Sequence, residues 1–266
     1  MSTATSLSSG PSTVVVLART AAAEWSRLWS VRSTWWCALA TTAVVLGIAT
    51  LIGIDLREPP LDTSSEPSAW EFGPFAAGVW MFVLLAIVLV TTTADHTTGG
   101  IVPSLQWTPR RAVLLAARTG VIVAAATLFG QVLVFAASLT VRVWVPEIGL
   151  PVDDGVRTLA WAAFVHATCA LLSVGIGLAT RSTGGGLAAV FALIIVLPVL
   201  LQAIPHELAI RLTEMLPGSG VIFLLGGEGP GRTEMTTTSS VVVLVCWSVA
   251  AMLAGGWRLL KTDADR

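Results

Sequence analysis

Long stretches without a charged residue alternate with short polar segments along this chain of 266 residues. Six stretches of 22 to 25 residues lack Asp, Glu, Lys and Arg; they are 33–54, 72–94, 119–141, 158–180, 182–206 and 235–257. A helix needs about 20 apolar residues to cross the hydrocarbon of a bilayer. Because backbone polar groups cannot remain unsatisfied in lipid, each stretch is expected to be helical. The pattern predicts an all-α integral membrane protein with six transmembrane helices.

The polar segments divide the predicted protein into parts. A disordered tail is predicted at 1–12, an amphipathic interfacial helix at 13–32, a transmembrane domain at 33–260 and a cytoplasmic tail at 261–266. The spans, adjusted at their ends for flanking helical composition, are predicted at 33–54, 72–94, 112–143, 158–180, 184–206 and 237–258. They leave a cytoplasmic loop at 95–111 and an external segment at 207–234.

The segment before the first span has two faces when it is drawn as a helix. Trp25 and Trp29 fall on the apolar stripe, whereas Arg19, Glu24 and Arg27 fall on the polar one. Aromatic residues opposite Arg are typical of a helix that lies in the membrane interface. The alternative is a water-exposed helix that caps the bundle.

Composition and charge support a membrane location and set the orientation. Hydrophobic residues make up 55% of the chain and charged residues only 12%, about half of what a soluble domain carries. With the N-terminus inside, ten of the 15 basic residues fall in cytoplasmic segments. The positive-inside rule therefore favours a multi-pass protein of the bacterial plasma membrane with both termini in the cytoplasm.

An apolar segment before the last span is too short to cross. It runs over 215–227, only 13 residues, and contains Pro217, Gly218 and Gly220. Irregular backbone at membrane depth must be buried in protein or line a cavity. A half-membrane re-entrant element broken at these residues is one interpretation, and a loop lying on the surface is the other.

Two motifs resemble those of a known transporter family. Residues 24–36 (EWSRLWSVRSTWW) look like the opening of actinobacterial ABC-2 permeases. The loop after the second span is similar to that family's pattern of acid, aromatic, x, x, Gly, Thr, Ile, then Leu and a Pro-Arg-Arg close. The residues at these positions are Asp95, His96, Thr97, Thr98, Gly99, Gly100, Ile101, Leu105, Pro109, Arg110 and Arg111, of which His96 and Gly100 depart from the aromatic residue and the Thr of the pattern.

The resemblance implies a fold, partners and a role for each segment. It implies a transmembrane domain like that of type V exporters, which pairs with a second permease chain and with ATP-hydrolysing nucleotide-binding subunits. The loop 95–111 would be the coupling element that docks on the ATPase, and Pro217, Gly218 and Gly220 would belong to an external gate. Arg110 and Arg111 have an alternative role as charges that set topology. Besides these chains only the lipid bilayer is expected as a partner, and no nucleic acid.

The sequence lacks the motifs expected of an ATPase or of a membrane-embedded enzyme. No G-x-x-x-x-G-K-[ST] phosphate loop occurs and Lys261 is the only lysine, so ATP hydrolysis is expected on another subunit and no cofactor or metal on this chain. The charge-free spans hold no carboxylate, which disfavours a membrane-embedded enzyme. His166 and Gln131 could line a substrate path, although a hydrogen-bonded structural histidine is the alternative. An immunity or sensor protein without transport activity is the alternative function.

Overall fold

A computed structural model describes residues 12–57, 68–97 and 111–261, and most residues in these ranges are helical. Six helical segments are long and apolar enough to cross a membrane, which confirms the predicted fold class at this level. They are Arg32–Asp55, Ala69–Thr93, Ala112–Trp144, Val152–Thr180, Thr183–Gln202 and Thr237–Arg258. No β-strand occurs in the three ranges, where the only bridge joins Ser68 and Gly149.

The helices are numbered in chain order. They are α1 (Thr13–Ser30), α2 (Arg32–Asp55), α3 (Ala69–Ala76), α4 (Gly78–Thr97), α5 (Arg111–Trp144), α6 (Val152–Thr180), α7 (Thr183–Phe191), α8 (Leu197–Gln202), α9 (Glu207–Glu214), α10 (Pro217–Gly226) and α11 (Thr237–Lys261). A π-helical turn, Ala192–Val196, joins α7 to α8.

The bundle has a terminal end, at which α1 and the last residues of α11 lie. The last turns of α4 are hydrogen-bonded there to two other helices. Arg118 Nη2 on α5 donates to the Thr91 carbonyl at 2.7 Å, and the Thr93 and Thr183 hydroxyls are 2.7 Å apart. Helices α4, α5 and α7 therefore meet at this end of the bundle.

At the opposite end of the bundle, the end of α2 and the start of α3 contact the segment between α5 and α6. Arg57 Nε donates to the Trp144 carbonyl at 2.6 Å. Trp70 Nε1 donates to the Pro151 carbonyl at 2.9 Å. The exposed Arg57 and the buried Trp70 therefore both hold connecting segments against the helix ends by donating to backbone carbonyls.

The central helix of the bundle is α6. In the most apolar part of α6, 67% of the residues are buried, whereas in the most apolar part of α2 only 22% are buried. Its largest interface is with α11, where Gly175 and Gly255 bring the two backbones together. Small residues allow such close approach, and close packing is a main source of stability between helices in lipid.

Some helix bounds differ from the charge-free stretches. Helix α6 begins at Val152, before residue 158, and carries Asp153 and Asp154 in its first turn. Negative side chains stabilise a helix N-terminus because they complement its dipole. Because this turn is charged, it lies outside the charge-free stretch 158–180 even though it belongs to the helix.

Two of the spans are interrupted. Ala77 separates α3, which contains Pro74, from α4. The π-turn Ala192–Val196 precedes Pro198, and α8 ends at Gln202, before residue 206. Proline cannot donate a backbone hydrogen bond and often coincides with such irregularities.

Helix α1 begins at Thr13, where Ser12 Oγ accepts a hydrogen bond from Val15 N at 3.4 Å. It ends at Ser30, and Val31 in extended conformation separates it from α2. The helix packs mainly against α5, yet none of its residues is fully buried. Its place in the membrane interface stays a prediction.

Candidate functional site

The predicted coupling loop leaves the terminal end between α4 and α5. Asp95, His96 and Thr97 form the last turn of α4, and Arg111 is the first residue of α5. The remaining predicted residues, Thr98, Gly99, Gly100, Ile101, Leu105, Pro109 and Arg110, lie outside the described residues. Both stems of the loop are helical, and the contacts of Thr91 and Thr93 fix the stem in α4 to α5 and α7.

Next to the loop stems, two arginines connect the ends of α6 and α11 by hydrogen bonds. Arg181 follows α6 with a left-handed φ of 53°, and its Nη2 donates to the Arg258 carbonyl at 3.2 Å. Arg258 in turn donates to the Ala179 carbonyl. Burial, and then the neighbouring Arg258 guanidinium, lower the pKa of Arg181. The terminal end is therefore positively charged at this corner.

The predicted gate segment is a pair of helices, α9 and α10, bent by 75°. The bend falls at Leu216, whose extended backbone (φ −85°, ψ 141°) is the conformation favoured before Pro217. Trp247 Nε1 on α11 donates to the Met215 carbonyl at 2.8 Å and so anchors the bend. The pair has the geometry of a broken span or a re-entrant loop.

Pro217, Gly218 and Gly220 are buried at the start of α10. A Cβ on Gly218 would overlap the Ile194 carbonyl, and one on Gly220 would lie 3.1 Å from the Ser240 carbonyl. Both glycines therefore permit close contact with neighbouring helices. Because Ile194 and Trp247 lie midway along their spans, the bend is level with the middle of the bundle. The role of the segment as a gate stays a prediction.

His166 and Gln131 meet between α5 and α6. His166 is 2% exposed, and its Nδ1 is 3.5 Å from the side-chain amide of Gln131. Opposite them, Gly130 leaves room for the Trp80 ring: a Cβ at Gly130 would lie 2.5 Å from His166 Nδ1 and 2.8 Å from Trp80 Nε1. His166 lines neither of the two cavities described next, and its place in a substrate path stays a prediction.

The first of these cavities, the α1 cleft, opens at the terminal end between α1, α2, α4 and α5. It measures about 440 Å³ and adjoins an inner extension of about 70 Å³, with which it shares lining residues. Glu24, Arg27 and Arg118 line its wide part, and Trp80 and Phe129 line the inner extension. The cleft is thus charged at one end and apolar at the other.

The second, the outer cavity, opens at the opposite end and measures about 540 Å³. Glu71, Asp154, Arg157 and Trp161 line it, together with the last turn of α10. Arg157 Nη2 lies 3.5 Å from Asp154 Oδ1. Polar and aromatic groups are therefore available next to the bent helix pair.

Sequence reasoning missed the α1 cleft. The sequence places Glu24 and Arg27 on the polar face of α1, and Arg118 is one of the ten basic residues that the predicted topology assigns to the cytoplasmic side. The polar face of α1 was the feature of the sequence that could have indicated the cleft. A helix that lies at the membrane interface places its charged residues near the end of any span that it contacts.

No protein-family model matches the chain, and no curated protein matches it with significance.

Proposed function

We propose that this chain is the membrane-spanning subunit of an ABC-2-type exporter. It pairs with a second permease chain, identical or homologous, and moves a substrate outward with ATP hydrolysed by separate nucleotide-binding subunits. Both termini and the loop 95–111 face the cytoplasm, and the protein resides in the plasma membrane. The motifs at 24–36 and 95–111 support this proposal, as does the order of the six apolar helices.

The observation that carries the proposal is the length and continuity of α5. This helix has 34 residues, about 51 Å at 1.5 Å per residue, whereas the hydrocarbon of a bilayer is about 30 Å thick. It begins at the loop 95–111 and ends at Trp144, whose carbonyl holds Arg57 at the opposite end. A displacement of the loop by a docked ATPase would therefore move one rigid element through the whole bundle.

The bent pair α9–α10 supplies an element that would respond at the opposite end. Its bend is anchored to α11 by Trp247, and the last turn of α10 lines the outer cavity. In this proposal the pair closes the outer end until the helices change their packing. Packed helices switch between discrete arrangements rather than deforming continuously, which suits alternating access.

The test is co-purification of the full-length tagged chain with the ATPase encoded beside its gene. In one variant residues 97–101 are replaced by a Gly/Ser run, and in the matched control residues 62–66, predicted to be external, are replaced in the same way. We expect the ATPase to bind the unaltered chain and the control but not the 97–101 variant, because only that loop offers the docking element.

Retention of the ATPase by the 97–101 variant would show that the coupling assignment is wrong. Failure of the unaltered chain to bind any ATPase, together with no ATP-dependent efflux from vesicles, would favour the immunity or sensor alternative. Monodisperse elution of all three proteins in detergent is the control for folding.

A further inference from the structure

The two parts of the α1 cleft adjoin along α4 and α5. The wide part and the inner extension share five residues, Leu28, Thr34, Ile87, Thr91 and Ile122. Apolar side chains form most of the walls, and at the inner end the Trp80 and Phe129 rings meet edge to face with centroids 4.8 Å apart. The groove therefore suits a hydrocarbon chain along most of its length.

Charged groups are confined to the terminal end of the groove. Arg27 Nη1 lies 4.0 Å from Glu24 Oε2, and Arg118 is held in place by its hydrogen bond to the Thr91 carbonyl. The two guanidiniums and one carboxylate give a sum of +1. Guanidinium groups bind phosphate through charge-assisted hydrogen bonds, and basic groups at the membrane surface attract anionic headgroups.

The length of the groove matches one leaflet of a bilayer. Arg118 and Phe129 are 11 positions apart on α5, which corresponds to about 16 Å at 1.5 Å per residue. Half of the hydrocarbon thickness is about 15 Å. A molecule whose phosphate lies at Arg118 would thus place the end of its hydrocarbon chain near Phe129, in the middle of the bilayer.

We propose that the α1 cleft is a binding site for one glycerophospholipid of the surrounding bilayer, preferentially an anionic one. The phosphate binds between Arg27 and Arg118, and one acyl chain lies along α5 as far as Trp80 and Phe129. A small soluble phosphate would occupy only the charged end and leave the apolar groove empty, so a lipid is the occupant that fits both halves. The inference is independent of the proposed transport function.

The experiment is native mass spectrometry of the full-length chain, purified in detergent and reloaded with an equimolar mixture of phosphatidylglycerol and phosphatidylcholine. We expect one retained lipid per chain, predominantly phosphatidylglycerol. A large excess of inorganic phosphate should not displace it, whereas displacement by phosphate alone would overturn the lipid assignment.

Two pairs of variants locate the site. Arg27→Gln should reduce retention about tenfold or more, because it removes a charge-assisted contact, whereas Arg157→Gln at the opposite end should not. Ala125→Trp should abolish retention because Ala125 lines the inner extension. The matched control, Ala124→Trp, changes the neighbouring exposed residue and should retain the lipid.

Equal retention by Ala125→Trp and Ala124→Trp, or equal loss in Arg27→Gln and Arg157→Gln, would overturn the proposal. Elution profile and circular dichroism report whether each variant folds. If Ala125→Trp does not fold, Ala125→Leu replaces it and the arginine pair decides the headgroup position.

Discussion

The helix pairs α6–α11 and α2–α5 show two ways of packing in one bundle. Along α6–α11 the backbones touch: a Cβ on Gly175 would lie 2.6 Å from Met252 N, and Ser248 Oγ donates to the Thr168 carbonyl at 2.8 Å. Helices α2 and α5 approach closely at the opposite end, where a Cβ on Gly53 would lie 2.6 Å from the Trp144 side chain. Towards the terminal end the α1 cleft lies between them.

The difference indicates which part of the molecule is rigid. Helices held by glycine contacts and interhelical hydrogen bonds have few alternative packings, since any shift brings backbones into overlap. Helices separated by a groove can move without such overlap. We therefore expect α6 and α11 to stay together as a unit, while the part of α2 that lines the cleft moves relative to α5.

The largest expected effect is at the tight pair. Gly175→Ala should destabilise the protein by about 1–3 kcal/mol, because the new methyl group meets backbone atoms of α11 that cannot give way. The matched change on the loose side, Gly47→Ala, adds a methyl group with nothing within 4 Å and should alter stability by less than about 1 kcal/mol. Unfolding equilibria in detergent micelles measure both; equal effects would contradict the comparison.

A smaller effect is expected where the bent pair is attached to α11. Trp247→Phe removes the donor to the Met215 carbonyl and should cost about 0.6–1.7 kcal/mol, the range for hydrogen bonds between membrane helices. Amide hydrogen exchange in 215–220 should become faster at the same time. Trp36→Phe, at a Trp that is 70% exposed, is the control, and unchanged exchange in the Trp247 variant would argue against the anchor.

The smallest effect is expected from a single interhelical hydroxyl. Ser248 Oγ lies 2.8 Å from the Thr168 carbonyl of α6 and 2.7 Å from the Leu244 carbonyl of its own helix, so one hydroxyl hydrogen serves both. Ser248→Ala should lower stability by at most about 0.6 kcal/mol through loss of the bond between α11 and α6. Ser26 Oγ donates to the Ala22 carbonyl of its own helix, so Ser26→Ala is the matched control. A loss as large in Ser26→Ala would show that the hydroxyl does not act between helices.

The number and approximate position of the spans could be predicted because lipid excludes charge and requires a minimum length of apolar helix. Contacts between segments that are distant in the sequence could not be predicted in this way. Glu24 and Arg118 line one cleft although they are 94 positions apart, and no periodicity in the sequence relates them. The bond between Trp247 and Met215 is likewise a product of how the helices pack.

The interruptions inside the spans were not predicted either, because a π-turn or a break between two helices does not change the hydropathy of the sequence. The charge-free stretch 182–206 appears uniform, yet it contains the π-turn Ala192–Val196. Similarly, 72–94 covers both α3 and α4 without indicating the break at Ala77. Pro198 and Pro74 were the visible signals, but a proline alone does not show where the helix adjusts.

The π-turn has a consequence for how the fifth span meets its neighbours. One additional residue in a helical turn rotates everything beyond it by about 100°, since an α-helix has 3.6 residues per turn. Before the turn, α7 contacts α4 and α6; at and after it, the chain contacts α10 and α9. A single membrane crossing thereby presents two differently oriented faces, one to the central helices and one to the bent pair.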